Sequence, residues 1–247
     1  MTFMTYEERA FRETLAWRMN IRKKRSMLER LSKSTQQKMN DFLPEGFHKT
    51  VTEAIKGMVQ SVLIGSDLVF KHAIPELKTL EEREQFIRTQ LGKYRKAATI
   101  EGAGTGAGGF VLGLADFPLL LSIKLKFLYD VARAYGYDLQ QKEERLFLLL
   151  VFQLAFSSQE KKVGTLSLIE RWTDKKKELT DIDWRTFQQE YRDYVDLTKM
   201  LQLIPGFGAA VGAYANYQLL DDLGDTAIHA YRIRYFAEKQ QLPSPSE

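Results

Sequence analysis

Asp116 is the residue whose setting most strains its chemistry. It stands beside Phe117 and between apolar runs, where an ionised carboxylate without partners is costly to bury. Two readings follow. As a helix cap, its oxygen accepts backbone N–H bonds while Pro118 fills the first turn. As a functional acid, it would need one of His48, His72 or His229 within hydrogen-bond reach, giving a hydrolase. Capping is the leading reading.

The histidines give no metal signature. None lies in H-E-x-x-H, and His72 and Glu76, four residues apart, are separated by Pro75, which spoils a helical ligand pair. Asp221, Asp222 and Asp225 could hold a cation, but a solvated helix face accounts for them more simply. No G-x-S-x-G elbow occurs and cysteine is absent, so a serine-elbow hydrolase, a thiolate site and a disulfide framework are all excluded. The absence of cysteine fits a reducing compartment. Neither a catalytic residue nor a metal is predicted, and an enzyme is the lesser expectation.

Gly104, Gly106 and Gly109 spell G-x-G-x-x-G. That pattern binds dinucleotides only after a strand in a βαβ unit, and the residues before it, 92–101, read as a basic helix. No Gly-Lys-Ser/Thr follows, so a P-loop fails as well, and no cofactor is expected. Close helix packing explains the glycines better. Gly109 with Gly113, and Gly208 with Gly212, are G-x-x-x-G pairs that let helix backbones approach. Each pair is followed by a polar residue in an apolar setting, Asp116 and Asn216, which suggests two related glycine-rich helical hairpins. Residues 201–220 carry no charge.

The elements that position these residues are helices. The 247 residues contain six prolines, two of them in the last five positions, and long stretches follow helical spacing. Residues 5–33 are predicted as a basic amphipathic helix with Tyr6, Phe11, Leu15 and Met19 inward. A second helix is expected over about 50–72. A third opens with a capping box, Thr79 and Glu82, and runs to about Lys96. Residues 146–156 are apolar on every side and, at eleven residues, too short to span a bilayer; they read as a buried helix. Residues 165–199 are amphipathic with Trp172 and Trp184 inward. Tyr135-Gly136-Tyr137 reads as a helix C-terminus with Gly136 at positive φ. The fold class predicted is all-α, a single domain over 1–247, with an opening segment 1–40 and a tail 242–247.

Charge is distributed unevenly. Residues 1–40 hold ten Lys or Arg against four Glu, a net +6, whereas the whole chain carries +4. The densest run is Arg22-Lys23-Lys24-Arg25. A solvated face and attraction to anionic headgroups both fit it; no nucleic-acid module accompanies it, so nucleic acid is set aside. No secretory signal is expected. One Asp and several glycines bring insertion of 102–123 close to neutral, and Lys or Arg residues lie on both sides of that segment, which argues against a single crossing. A buried hairpin and shallow insertion both remain open.

In order and spacing, these motifs resemble the EcsC family. The resemblance rests on Tyr6-Glu7 with Trp17, on Leu114-Ala115-Asp116-Phe117-Pro118, on Tyr135-Gly136-Tyr137-Asp138, and on Ile204-Pro205-Gly206-Phe207-Gly208 through Asn216. It covers most of the chain. It implies a cytoplasmic or peripheral-membrane bacterial protein without established catalytic residues, linked to an ABC transporter of an export process or to membrane proteolysis. The expectation is therefore a non-enzymatic protein at the inner face of the plasma membrane, with anionic lipid and ABC-transporter subunits as partners. A module binding lipid or another apolar small molecule is the alternative.

Overall fold

A computed structural model describes residues 4–23, 45–64, 73–105, 117–157, 159–180 and 209–240. Every regular element named below is a helix. In chain order they are α1 (Tyr6–Arg22), α2 (Glu45–Ile64), α3 (Leu80–Thr105), α4 (Phe117–Ala134), α5 (Lys142–Phe156), α6 (Gln159–Glu170), α7 (Trp172–Thr180) and α8 (Ala209–Glu238).

Local chemistry sets several of the ends. Glu82 accepts from the Thr79 N–H at 3.1 Å and donates its own N–H to the Thr79 hydroxyl at 3.1 Å, closing the predicted capping box of α3. Thr5 and Glu8 form an equivalent box at α1. At the end of α4 the Gly136 N–H reaches Arg133 and the Tyr137 N–H reaches Ala132, a Schellman closure. Gly136 has φ +91°, as a residue at that position requires.

The helix spans differ from expectation in definite ways. α3 continues past Lys96 to Thr105, because Ala97 and Ala98 propagate it and no proline intervenes. The predicted 165–199 helix breaks at Arg171, where Trp172 turns into the core and meets Phe147 edge-on at 5.1 Å; Trp184 lies outside the described residues. α1 buries Ala10, Thr14 and Arg18 and leaves Met19 exposed, so its inner face is rotated from the predicted one. The reason is electrostatic: Arg18 is drawn inward to Glu170 at 2.6 Å.

α5 lies at the centre, buried at every position from Leu146 to Phe156. Side-chain pairings fix how the others run around it. Glu84 of α3 meets Arg232 of α8, and farther along Arg95 pairs with Asp221, so these two helices are antiparallel. α1 is antiparallel to α8 through Glu7 with Lys239 and Trp17 with Asp225. α4 is antiparallel to α3, since Arg83 donates to the Tyr135 carbonyl and Tyr94 to Asp130. α2 runs parallel to α4, because Arg145, at the start of α5, donates to the Leu63 carbonyl.

Two ends result. One, the pinned end, gathers the start of α1, the ends of α2, α4 and α8, and the starts of α3 and α5. Toward the other, the glycine end, point the end of α1, the end of α3 and the starts of α4 and α8. Glu144 meets Arg234 and Phe147 meets Tyr231, a register that brings Phe156 level with Asp222. The turns of α8 before Asp222 therefore run on beyond the end of α5.

Close helix approach occurs at a glycine outside the G-x-x-x-G pairs. A Cβ added at Gly224 of α8 would stand 2.7 Å from a Leu91 methyl of α3, whereas one at Gly164 would meet nothing within 4 Å. Gly224→Leu should lower the thermal midpoint, at a cost of about 1–3 kcal/mol for overpacking. Gly164→Ala should raise it, with helix propensity contributing up to about 1 kcal/mol. A pair of melting curves reads both signs.

Candidate functional site

The densest polar cluster sits at the pinned end and is built on α8. Arg232 donates to both oxygens of Glu84, at 2.7 and 2.6 Å, and to Glu13 of α1 at 2.8 Å. Glu84 is fully buried, and it also accepts from the Tyr6 hydroxyl at 2.7 Å and the Tyr135 hydroxyl at 3.2 Å. Burial alone would lower the Arg232 pKa, but its hydrogen bonds to Glu84 and the charge beside it raise it. Tyr135 is pushed up by burial first and by the Glu84 carboxylate next. A carboxylate ringed by two hydroxyls and a bidentate guanidinium has no lone pair facing a substrate. The cluster joins α1, α3, α8 and the turn that follows α4.

Two residues on, Arg234 forms a second bidentate pair. It donates to Glu144 of α5 at 2.5 and 2.7 Å and to Glu238 at 3.1 Å, and its guanidinium lies 3.6 Å from the centre of the Tyr137 ring. Stacking on an aromatic face adds to the ion pair. Tyr137, from the turn that Gly136 makes possible, closes the loop by donating to Glu238 at 3.3 Å. The predicted helix C-terminus at Tyr135-Gly136-Tyr137 thus also supplies side chains to both arginines.

Midway along α8, Asp225 accepts from the Trp17 indole at 3.0 Å. His229 stacks flat on Trp17, with centroids 4.8 Å apart, and its Nδ1 lies 2.9 Å from the Asp225 carbonyl oxygen. Burial raises the Asp225 pKa, but His229, Trp17 and Arg232 together lower it. Asp221 is held by Arg95. Neither aspartate is left as a bare solvated face, and among the described residues no three His, Cys, Asp or Glu side chains are grouped to hold a metal.

Of the residues marked from the sequence, Arg22 reaches the described fold as a partner of Glu170, beside Arg18. Lys23 caps α1 and is exposed; Lys24 and Arg25 lie outside the described residues. Pro118 occupies the first turn of α4 and is exposed. Gly109, Gly113, Asp116, Pro205, Gly206 and Gly208 lie outside the described residues, so the Asp116 capping and hydrolase readings do too, as does His72. Gly212 and Asn216 belong to one uninterrupted helix, α8. The sequence reading overlooked Glu84, Glu144, Arg232 and Arg234. A signal existed for the first, because Glu84 stands in core register with Leu80, Ile87 and Leu91, all buried.

One further group has no partner at all among the described residues. Lys124 of α4 is fully buried, and its Nζ makes no hydrogen bond. Burial lowers its pKa from 10.5 to about 7.

The model of the EcsC protein family matches residues 8–236, a span that includes Glu13, Glu84, Glu144, Arg232 and Arg234. The chain belongs to the EcsC family. It is 47% identical over 235 residues to Protein EcsC of Bacillus subtilis strain 168, covering 95% of this chain and 98% of that protein. It is 29% identical over 235 residues to the uncharacterized protein YdbA of the same organism, covering 85% of this chain and 86% of that one. No solved structure matches this EcsC-family chain.

Two predictions follow from the buried charges. Glu84→Ala strands the Arg232 guanidinium and should cost about 3–5 kcal/mol, while Glu84→Leu combined with Arg232→Met should recover much of that loss; chemical denaturation of the three proteins measures it. For Lys124 the unfolded chain keeps its proton up to about 10.5 and the folded chain releases it near 7. Unfolding takes up a proton between those values, so stability rises with pH across that window. Lys124→Met should remove this rise and be the more stable protein at pH 7. Equal slopes for the two proteins would show that Lys124 ionises without penalty.

Proposed function

We propose that this EcsC-family protein is a non-enzymatic helical protein that associates with the membrane surface through its glycine end, as an accessory to an ABC transporter or another membrane export or proteolysis process. The observation that carries the membrane part is the arrangement of helix ends. α3 and α4 border the glycine-rich stretch around 102–123, α8 continues the charge-free stretch 201–220, and α1 leads into Arg22-Lys23-Lys24-Arg25. All four turn those ends toward the same side of the bundle. Among the described residues, no helix is long and apolar enough to cross a membrane. The transporter part is supported by the family resemblance.

The cationic contribution comes from the run beyond Arg22, because Arg22 is held by Glu170. Each lysine or arginine near an anionic surface is worth about 1 kcal/mol, so replacing Lys23, Lys24 and Arg25 with Gln should weaken vesicle binding by roughly two orders of magnitude. Co-sedimentation with phosphatidylglycerol vesicles at low and raised salt measures this. Raised salt should release the parent protein, and vesicles of neutral lipid should retain little of it. Equal binding of parent and variant to anionic vesicles would remove the electrostatic basis of the proposal.

A further inference from the structure

Along the side of the bundle, α2 and α4 are separated by a groove of about 340 Å³ lined by Ala54, Gly57, Met58, Ser61, Val62, Pro118, Leu121, Ser122, Leu125 and Tyr129. None of these residues is charged, in a chain where charged residues are 28% of the total. The two serines do not make it polar. Ser61 donates its hydroxyl to the Gly57 carbonyl at 2.7 Å and Ser122 donates to Pro118 at 2.9 Å, each back into its own helix. Gly57 leaves the wall open, since a Cβ there would meet nothing within 4 Å. One end of the groove is Pro118 in the first turn of α4, next to the exposed Leu119 and on the glycine side of the bundle.

The walls decide what fits. An extended peptide would bring N–H and C=O groups into a groove whose serine hydroxyls have already donated into their own helices, and those groups need partners. A helix, about 10 Å across, would fill this volume with less than one turn. The volume falls at the low end of small-ligand sites, and an aliphatic chain asks for no hydrogen bond. We infer that the groove between α2 and α4 receives one acyl chain of a membrane lipid, entering from the Pro118 end. This rests on the membrane-surface reading, which brings that end to the lipid.

The probe is a phosphatidylglycerol vesicle doped with lipid that carries a diazirine in one acyl chain. After irradiation, labelled peptides are mapped by mass spectrometry. The expected result is label on the peptides that contain Met58 and Leu121 to Leu125. Gly57→Leu should reduce that label to background by filling the groove, while vesicle co-sedimentation and the thermal midpoint are retained. Ser61→Leu serves the same purpose if Gly57→Leu does not fold. Vesicle binding with label elsewhere, or with equal label in the filled variants, would overturn the groove and leave the surface association standing. A parent that ignores vesicles but takes up dodecanoate, and loses it in Gly57→Leu, would overturn the membrane source. Loss of both signals in the folded parent would overturn the two readings together.

Discussion

The fold depends on a carboxylate taken wholly out of water. Glu84 is tolerable there because Arg232 meets it with two parallel N–H bonds and two tyrosine hydroxyls complete its shell. The partners come from α1, α8 and the turn after α4, so the shell is complete in one arrangement only. Sliding α8 by one turn, about 5.4 Å, would carry Arg232 away from Glu84 and leave both charges stripped of solvent. Apolar contacts alone would penalise such a slip far less, since one leucine substitutes readily for another. The pair therefore acts chiefly on register, and Arg234 with Glu144 extends the same constraint to the central helix α5.

This division explains what was legible in the residues. α5 could be read because a helix apolar all round has only one place to go. The Thr79 box and the Gly136 turn could be read because their chemistry is local, completed within six residues. Glu84 and Arg232 are 148 positions apart, and nothing in either neighbourhood names the other. The same limit applies to Gly224, whose importance lies in a leucine on α3. The rotation of α1 was hidden for a related reason. Hydrophobic spacing placed Met19 inside, and only the distant Glu170 makes Arg18 the better occupant. Long-range ionic contacts thus override a periodicity that is right elsewhere, as it is for Ile55, Met58, Val59 and Val62 of α2.

The charged residues are also spread unequally along the bundle. In the last two turns of α8 and the residue after it, Arg232, Arg234, Tyr235 and Lys239 engage Glu84, Glu144 and Glu7, so these charges are compensated within the pinned end. Lys124 stands in α4 about 10 Å along the helix from its start at Phe117, on the glycine side of that network. There, a buried ammonium has no carboxylate to meet among the described residues. Its low pKa follows from that: where no partner offsets burial, the neutral amine is the better guest.

A bundle arranged in this way has one end whose ion pairs fix the register of its helices, and the consequence concerns what a partner can use. Cations locked into internal pairs contribute little to an outside surface, because their charge is already compensated at close range. Arg18, Arg232 and Arg234 belong to that class, and Arg22 is drawn toward it by Glu170. What the sequence offers beyond them at the exit of α1 is Lys23, exposed, followed by Lys24 and Arg25. The basic excess of the first forty residues is thus partly taken up inside the fold, by Arg18 and Arg22, while Arg9, Arg12 and Lys23 stand exposed. Charge counted along the chain overstates what is available to any outside anionic surface, and the ion pairs identify which part to subtract.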